Sequence, residues 1–312
     1  MIMMIQRIKN KLVRTFPSPN ARLKKSNWYH SLFPHLREYE RLSRNADVIC
    51  IGSTPAKNAI DFKGVKDVNG YNLAVCPETI FYDFQVLKNY HSYLKKGGTI
   101  LFVLCPFSFL KDSYKDEFGS KSYLNIRYYP ILHRAMIDNF DIELYKKYVQ
   151  NPISISWRAF AHSFIDSKYI PQTIKSNPDT PEQSTAICKD RLSKWMTEFR
   201  MPDLDPAHIP ENTENAIKDN IRIFKNMKEF VEERGYNAFI VIPPFPMEMV
   251  DIIPADLVQH NLFQPVAEIG LPCLNYYGDT KWMDRDLYYH GFLLNNSGRD
   301  LFTKEILSRI QC

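Results

Sequence analysis

Two short stretches far apart in the chain carry the residue types of nucleophilic catalysis. The first is Gly52-Ser53-Thr54 in "ADVICIGSTPAKNAIDF" (46–62), where an apolar run breaks at one glycine into a hydroxyl-bearing turn. The second is "DRDLYYHGFLLNNSGRDLF" (284–302), in which His290 follows Asp284 and Asp286. A serine or threonine hydroxyl becomes a nucleophile when a neighbouring base takes its proton, and an acid behind the base fixes its orientation. Thr54 or Ser53 as nucleophile, His290 as base, and Asp286 or Asp284 as orienting acid would make such a relay. The same residues also have ordinary readings: a turn joining a strand to a helix, and a loop histidine on the surface or filling the core.

The turn is poorly suited to a cofactor. A dinucleotide or S-adenosylmethionine loop needs several glycines for close backbone approach, and Gly52 stands alone between residues 47 and 62. A phosphate-cradling GxxxxGK[ST] loop is absent from the sequence. Six cysteines, at 50, 76, 105, 188, 273 and 312, form no CxxC pair and no zinc spacing with histidine. The expectation is therefore no metal and no organic cofactor. Cys50, Cys105 and Cys273 lie in or beside apolar runs and read as small core residues of a reducing compartment, which points to the cytoplasm.

These residues need elements to position them, and strand and helix signals alternate along the chain. "DVICI" (47–51), "YNLAV" (71–75), "TILFVLC" (99–105), "NAFIVI" (237–242) and "PCLNYY" (272–277) read as strands. Within 78–96, Ile80, Phe84, Leu87, His91 and Leu94 share a helical face, with Gly97 and Gly98 as the helix stop. Thr213 can cap a helix carrying Ile217, Ile221, Phe224, Met227 and Val231 and ending at Gly235. A further helix falls near 255–268, and Asn296 or Ser297 caps a last one with Phe302, Ile306 and Ile310 inward.

Strands separated by helices predict an α/β fold, a three-layer α/β/α sandwich around a central parallel sheet. Residues 107–212 break the rhythm. They read as a large, mainly helical insertion over the sheet's carboxyl edge, within a domain spanning 46–312. Ligands of open α/β sheets bind at that edge, where the Gly52 turn and the His290 loop also fall. Trp157, Phe160, His162 and Phe164 suit an insertion core or a pocket wall.

Residues 1–45 form a basic helical segment. From 1 to 37 it carries Arg7, Lys9, Lys11, Arg14, Arg22, Lys24, Lys25 and Arg37 and no acid, within an overall net charge of +5. Ile2, Ile5, Ile8, Leu12 and Phe16 make one stripe, so this helix can rest on an anionic membrane face or pack on the domain. Arg7 interrupts the apolar stretch that a secretory signal would need. No run approaches the roughly 18 apolar residues of a spanning helix, and no nucleic-acid recognition motif accompanies the basic residues. A cytoplasmic protein with peripheral membrane contact at most is expected, with no nucleic-acid partner.

A strand ending in "IGST" with "AIDF" soon after is similar to the "GSS…GID" first block of SGNH/GDSL-type hydrolases. "DRDLYYHGFLLNNSGRDLFTKEIL" resembles their last block, D-x-x-H-L-N-x-x-G before a terminal helix. The resemblance implies an SGNH (flavodoxin-like) sandwich over most of the chain. It also implies an esterase or O-acyltransferase acting on an acyl ester, such as that of a carbohydrate or glycan precursor. In it the first-block hydroxyl attacks the ester, His290 is general base and Asp286 or Asp284 orients it. Groups near Gly52, Ser53, Asn72, Ala74 and Ser108 would hold the oxyanion or substrate.

This chain departs from the family at several points. Thr54 stands where the family has serine, and Asp286 lies four residues before His290 rather than three. Asn72-x-Ala74 replaces Asn-x-Gly, and Ser108 is the main polar side chain where Gly-x-Asn-Asp would follow the third strand. Two alternatives stand beside the enzyme. One is a catalytically degenerate SGNH-fold protein that binds a glycan or a protein partner. The other is an S-adenosylmethionine-dependent methyltransferase, because "YLKKGGTILFVLCP" (93–106) resembles a segment of that class.

Overall fold

The computed structural model describes residues 18–110, 125–164, 180–289 and 291–310, so the amphipathic stripe of residues 2–16 and His290 lie outside the described residues. The chain forms two compact units, residues 1–40 with 118–172 and residues 41–117 with 173–312. The stretch 107–212 is accordingly divided between the two, and the helix Pro181–Glu198 belongs to the second.

The second unit contains the sheet. Its strands are β1 (Ala46–Gly52), β2 (Gly70–Asn72), β3 (Leu94–Val103), β4 (Asn237–Ile242) and β5 (Cys273–Asn275). They are all parallel, in the order β2-β1-β3-β4-β5. Ile49, Cys50, Ile51, Ile100, Leu101, Ile240 and Val241 are completely buried, successive residues facing opposite sides. Continuous apolar strands of this kind require cover on both faces. The principal helices are α1 (Thr54–Ala59), α2 (Ile80–Tyr90), α3 (Pro181–Glu198), α4 (Glu211–Glu232), α5 (Gln264–Ile269) and α6 (Asn296–Ile310).

On one face Val48, Cys50, Leu101, Val103 and Val241 pack against Ala56 and Ala59 of α1 and Phe302 and Ile306 of α6. On the other face α4 buries Ile217, Ile221, Phe224, Met227 and Val231, with Phe224 edge-on to Phe102 of β3 at 5.1 Å. The α/β class and the parallel sheet are therefore as the sequence predicts.

Three local expectations are corrected. The helix after β2 ends at Tyr90 and β3 already begins at Leu94, so Gly97 and Gly98 lie inside the strand rather than stopping a helix. The pairing with β1 jumps from Ala46↔Leu94 to Val48↔Thr99, and Gly97, at φ +70°, absorbs the irregularity. Thr213 is not a cap: α4 starts at Glu211, and the buried Thr213 hydroxyl donates to the Phe199 carbonyl at 3.0 Å. At α6 the capping side chain is Asn295, whose Oδ1 accepts the Gly298 N–H at 3.0 Å.

The first unit is built from short helices pinned by aromatic contacts. Tyr29 meets Phe33 at 5.0 Å and donates its hydroxyl to the Tyr148 carbonyl at 3.1 Å. Trp157 and Phe164, expected in a core or pocket wall, are exposed, at 67% and 57% of their surface. The Arg22 guanidinium lies 3.8 Å over the Phe164 ring. Among the described residues no helix is long and apolar enough to cross a membrane.

The fold makes one direct prediction. Phe302 is fully buried, with the Tyr276 and Trp282 rings at 5.1 and 5.2 Å. Phe302→Ala is expected to lower unfolding stability by about 3–5 kcal/mol, the cost of a lost aromatic and its cavity. Urea unfolding checks this, and a loss below about 1 kcal/mol would place α6 outside the cooperative core.

Candidate active site

In this strand order the chain reverses direction across the sheet between β1 and β3, and the crevice at their carboxyl ends is the expected ligand position. A cleft of about 120 Å³ lies there, entirely within the sheet unit. Ser53 and Thr54 reach it from β1, Glu78 and Asp83 from the β2–α2 segment, and Ser108 from beyond β3. Its walls include Phe107, Trp195 of α3 and Phe292.

Gly52 sets the turn. Its φ is +140°, and a Cβ there would sit 2.6 Å from the Val103 carbonyl oxygen and 3.0 Å from the Ala56 side chain. Only glycine tolerates this conformation and this approach. The chain then enters α1, with Pro55 in its first turn, and the Ser53 Oγ accepts the Glu78 N–H at 3.0 Å. Thr54 also lines the cleft, while its carbonyl accepts the Asn58 amide at 2.8 Å. Tyr289 donates its hydroxyl to the Asn58 Oδ1 at 2.9 Å, tying the last block to α1.

Two acids that the motif reasoning missed stand beside Ser53. Glu78 and Asp83 are only 3% and 6% exposed, yet both line the cleft. Glu78 Oε2 accepts the Val75 N–H at 3.0 Å, and its carboxyl is also hydrogen-bonded to the Asp83 side chain. Burial, and then the charge of Asp83, hold the Glu78 carboxyl well above the usual carboxylate range. The Cys50 thiol is pushed up by the same causes, burial first and then the charges of Asp83 and Glu78. The sequence did carry a sign of this: Asp83 falls on the apolar stripe between Ile80 and Leu87, where a solvated acid has no place.

The other expected residues separate. Ser108 lines the cleft, its Oγ accepting the Cys105 N–H at 2.9 Å. Gly52, Asn72 and Ala74 are not among the lining residues. Asn72 donates its amide to the Ala56 and Ile60 carbonyls at 2.9 and 2.7 Å and accepts the Ala74 N–H at 3.1 Å. Those bonds fasten β2 to α1, so the described geometry leaves neither Asn72 nor Ala74 facing an oxyanion. Asp284 and Asp286 are exposed and also outside the lining. Asp284 Oδ1 accepts the Asp286 N–H at 3.0 Å, and Arg285 between them pairs with Glu248.

The closing block has a definite structural register. β6 (Tyr288–Tyr289) and β7 (Leu293–Leu294) pair antiparallel, and Asn295 follows. Asn295 donates to the Asp286 and Tyr288 carbonyls at 2.6 and 3.3 Å while capping α6, and a Cβ at Gly298 would collide with the Leu287 carbonyl. Asn295 and Gly298 thus each have a structural role in this loop. In the sequence, Asn295-x-x-Gly298 stands where the block compared above has N-x-x-G, and the residue two before Asn295, where that block has histidine, is Leu293. Leu293 lines the cleft, and no histidine does so among the described residues.

Compared with family models, curated proteins and solved structures, the chain has no match in any of the three.

The buried acid has a thermodynamic signature. Because its pKa is raised on folding, Glu78 contributes fully below the unfolded value near 4.5 and loses that contribution as pH rises through its folded value. Over that window wild-type stability should fall by up to about 1.4 kcal/mol per pH unit from this group. Glu78→Gln keeps the shape without the charge and should flatten the decline. Urea unfolding from about pH 5 to about pH 9 measures it, and parallel curves for the two proteins would refute the assignment.

Proposed function

We propose that the cleft binds an O-acyl ester and that a hydroxyl of the 53–54 turn attacks its carbonyl, as in an SGNH-like esterase or O-acyltransferase. One observation carries this reading: the Ser53 Oγ lines the cleft at the carboxyl end of β1 and accepts the Glu78 N–H at 3.0 Å. A donor aimed at the hydroxyl oxygen favours the negative charge that builds on it as its proton leaves. Phe107, Trp195 and Phe292, packed on one another with ring centres 4.3 and 5.8 Å apart, make that wall of the cleft apolar, which suits an acyl chain. A glycan or glycan precursor as acceptor or substrate is what the sequence resemblance suggests. The chemistry needs a hydroxyl, a base and amide donors, and no cofactor.

A second reading has its own support. With Leu293 at the block's histidine position and the Asn72 amide committed to backbone carbonyls, the same cleft suits a catalytically degenerate protein that binds a glycan. The methyltransferase reading has less behind it. Gly97 and Gly98 belong to the early part of β3, away from the edge where the cleft opens.

A fluorophosphonate serine-hydrolase probe and hydrolysis of aryl acetates and O-acetylated sugars test the proposal on wild type, Ser53→Ala and Thr54→Ala. The attacking residue's variant should lose labelling and about 100-fold or more in rate. Equal signals in all three proteins would remove the ester chemistry. Saturable sugar binding without turnover, read by calorimetry, would establish the second reading.

A further inference from the structure

The ester-cleaving reading leaves its base unnamed, and the inference here rests on that reading. The geometry points to a Ser53–Glu78–Asp83 relay, in which the Glu78 carboxylate takes the Ser53 proton and Asp83 positions Glu78. All three side chains line one cleft at the β1/β3 crevice. The Glu78 N–H on the Ser53 Oγ at 3.0 Å fixes the two residues against each other. A hydroxyl that already accepts a backbone N–H keeps its own proton to give. Glu78 stands ready for it: Oε2 is held by the Val75 N–H, and the carboxyl is hydrogen-bonded to the Asp83 side chain, so both acids are fixed in the cleft wall.

Two carboxyls buried side by side need a reason, and a proton arriving from a substrate or nucleophile supplies one. Asp83 stands in the first turn of α2. Burial, then the charge of Asp83, raises the Glu78 carboxyl well above the usual carboxylate range, which makes its ionised form a stronger base. Leu293, at the block's histidine position, leaves that side of the cleft without an imidazole at that position.

The steps balance. The Ser53 oxygen bonds to the acyl carbon as its proton passes to Glu78. The ester C–O bond then breaks, and Glu78 returns the proton to the departing alkoxide, releasing an alcohol. Water or an acceptor hydroxyl attacks the acyl-serine, gives its proton to Glu78, and that proton restores Ser53. The titratable groups that act on the pair are Cys50 from β1 and Cys76 beside Pro77, and Arg191 of α3 also lines the cleft.

The test compares pH profiles of kcat/KM for aryl acetate hydrolysis in wild type, Ser53→Ala, Glu78→Gln, Asp83→Asn and His290→Ala. Glu78→Gln should lose about 100-fold or more. Asp83→Asn, by removing a like charge, should move the ascending limb to lower pH. A positioning residue does this, whereas a merely structural defect would lower the plateau without moving the limb. An active Glu78→Gln beside an inactive Ser53→Ala would overturn the relay and leave the ester reading standing, as would loss of activity in His290→Ala alone. A wild type that neither turns over nor takes a fluorophosphonate probe would overturn both. Should Glu78→Gln lose its cooperative unfolding transition, Asp83→Asn decides, and an unshifted limb refutes the relay.

Discussion

The Val103 carbonyl leaves no room for a side chain at residue 52, and much of the site follows from that contact. Because β1 must pass this close to β3, the chain can turn only with a positive φ, which Gly52 supplies. The turn delivers Ser53 and Thr54 to the crevice between the two central strands and starts α1 immediately. Asn72 then secures β2 to α1 through two carbonyls, so the segment after β2 returns to the same crevice and brings Glu78 against Ser53. The Ser53 hydroxyl and the Glu78 main chain therefore meet through backbone constraints, before any side-chain attraction is considered.

Placing two carboxyls in that crevice is costly. Neither Glu78 nor Asp83 is more than slightly exposed, and like charges in a shared low-dielectric site oppose joint ionisation. The Val75 N–H and a hydrogen bond with the Asp83 side chain offset part of the cost at Glu78. Well-packed apolar residues in the same volume would be no worse for stability, and often better. Strongly perturbed acids in a cleft mark a candidate functional site, because a fold alone gains little by burying them.

Elements whose burial is written in local pattern were legible in the sequence. β1, β3 and β4 each contain an apolar run (48–51, 100–103 and 238–242), and α4 and α6 carry single stripes, so a parallel sheet covered on both faces followed. Features decided by pairing were not legible. "KKGG" has the composition of a helix stop, yet the jump in register beside Val48 draws it into β3. Thr213 has the chemistry of a cap, but the Phe199 carbonyl claims its hydroxyl one turn inside α4. In the site, Ser53, Thr54 and Ser108 could be placed because strand ends are predictable. Glu78 was not, since an acid just before a helix normally meets solvent and the helix dipole. Asn72 matched a motif by type, but only the fold reveals that its amide faces α1.

The last block separates scaffold from chemistry. A motif such as D-x-x-H-L-N-x-x-G mixes residues that fold the loop with residues that act on substrate, and the two kinds need not be found together. Asn295 and Gly298 perform the folding part: one caps α6 and holds two carbonyls, and the other lets the helix approach Leu287 without a side chain. Once they fix the register, the cleft-facing position before them is Leu293, and the acids upstream are solvated. The buried carboxyls that line the cleft among the described residues belong instead to the β2–α2 side, where the Glu78 backbone amide also reaches the Ser53 Oγ. The wall bearing buried acids and the loop bearing the closing block are therefore different walls of one crevice.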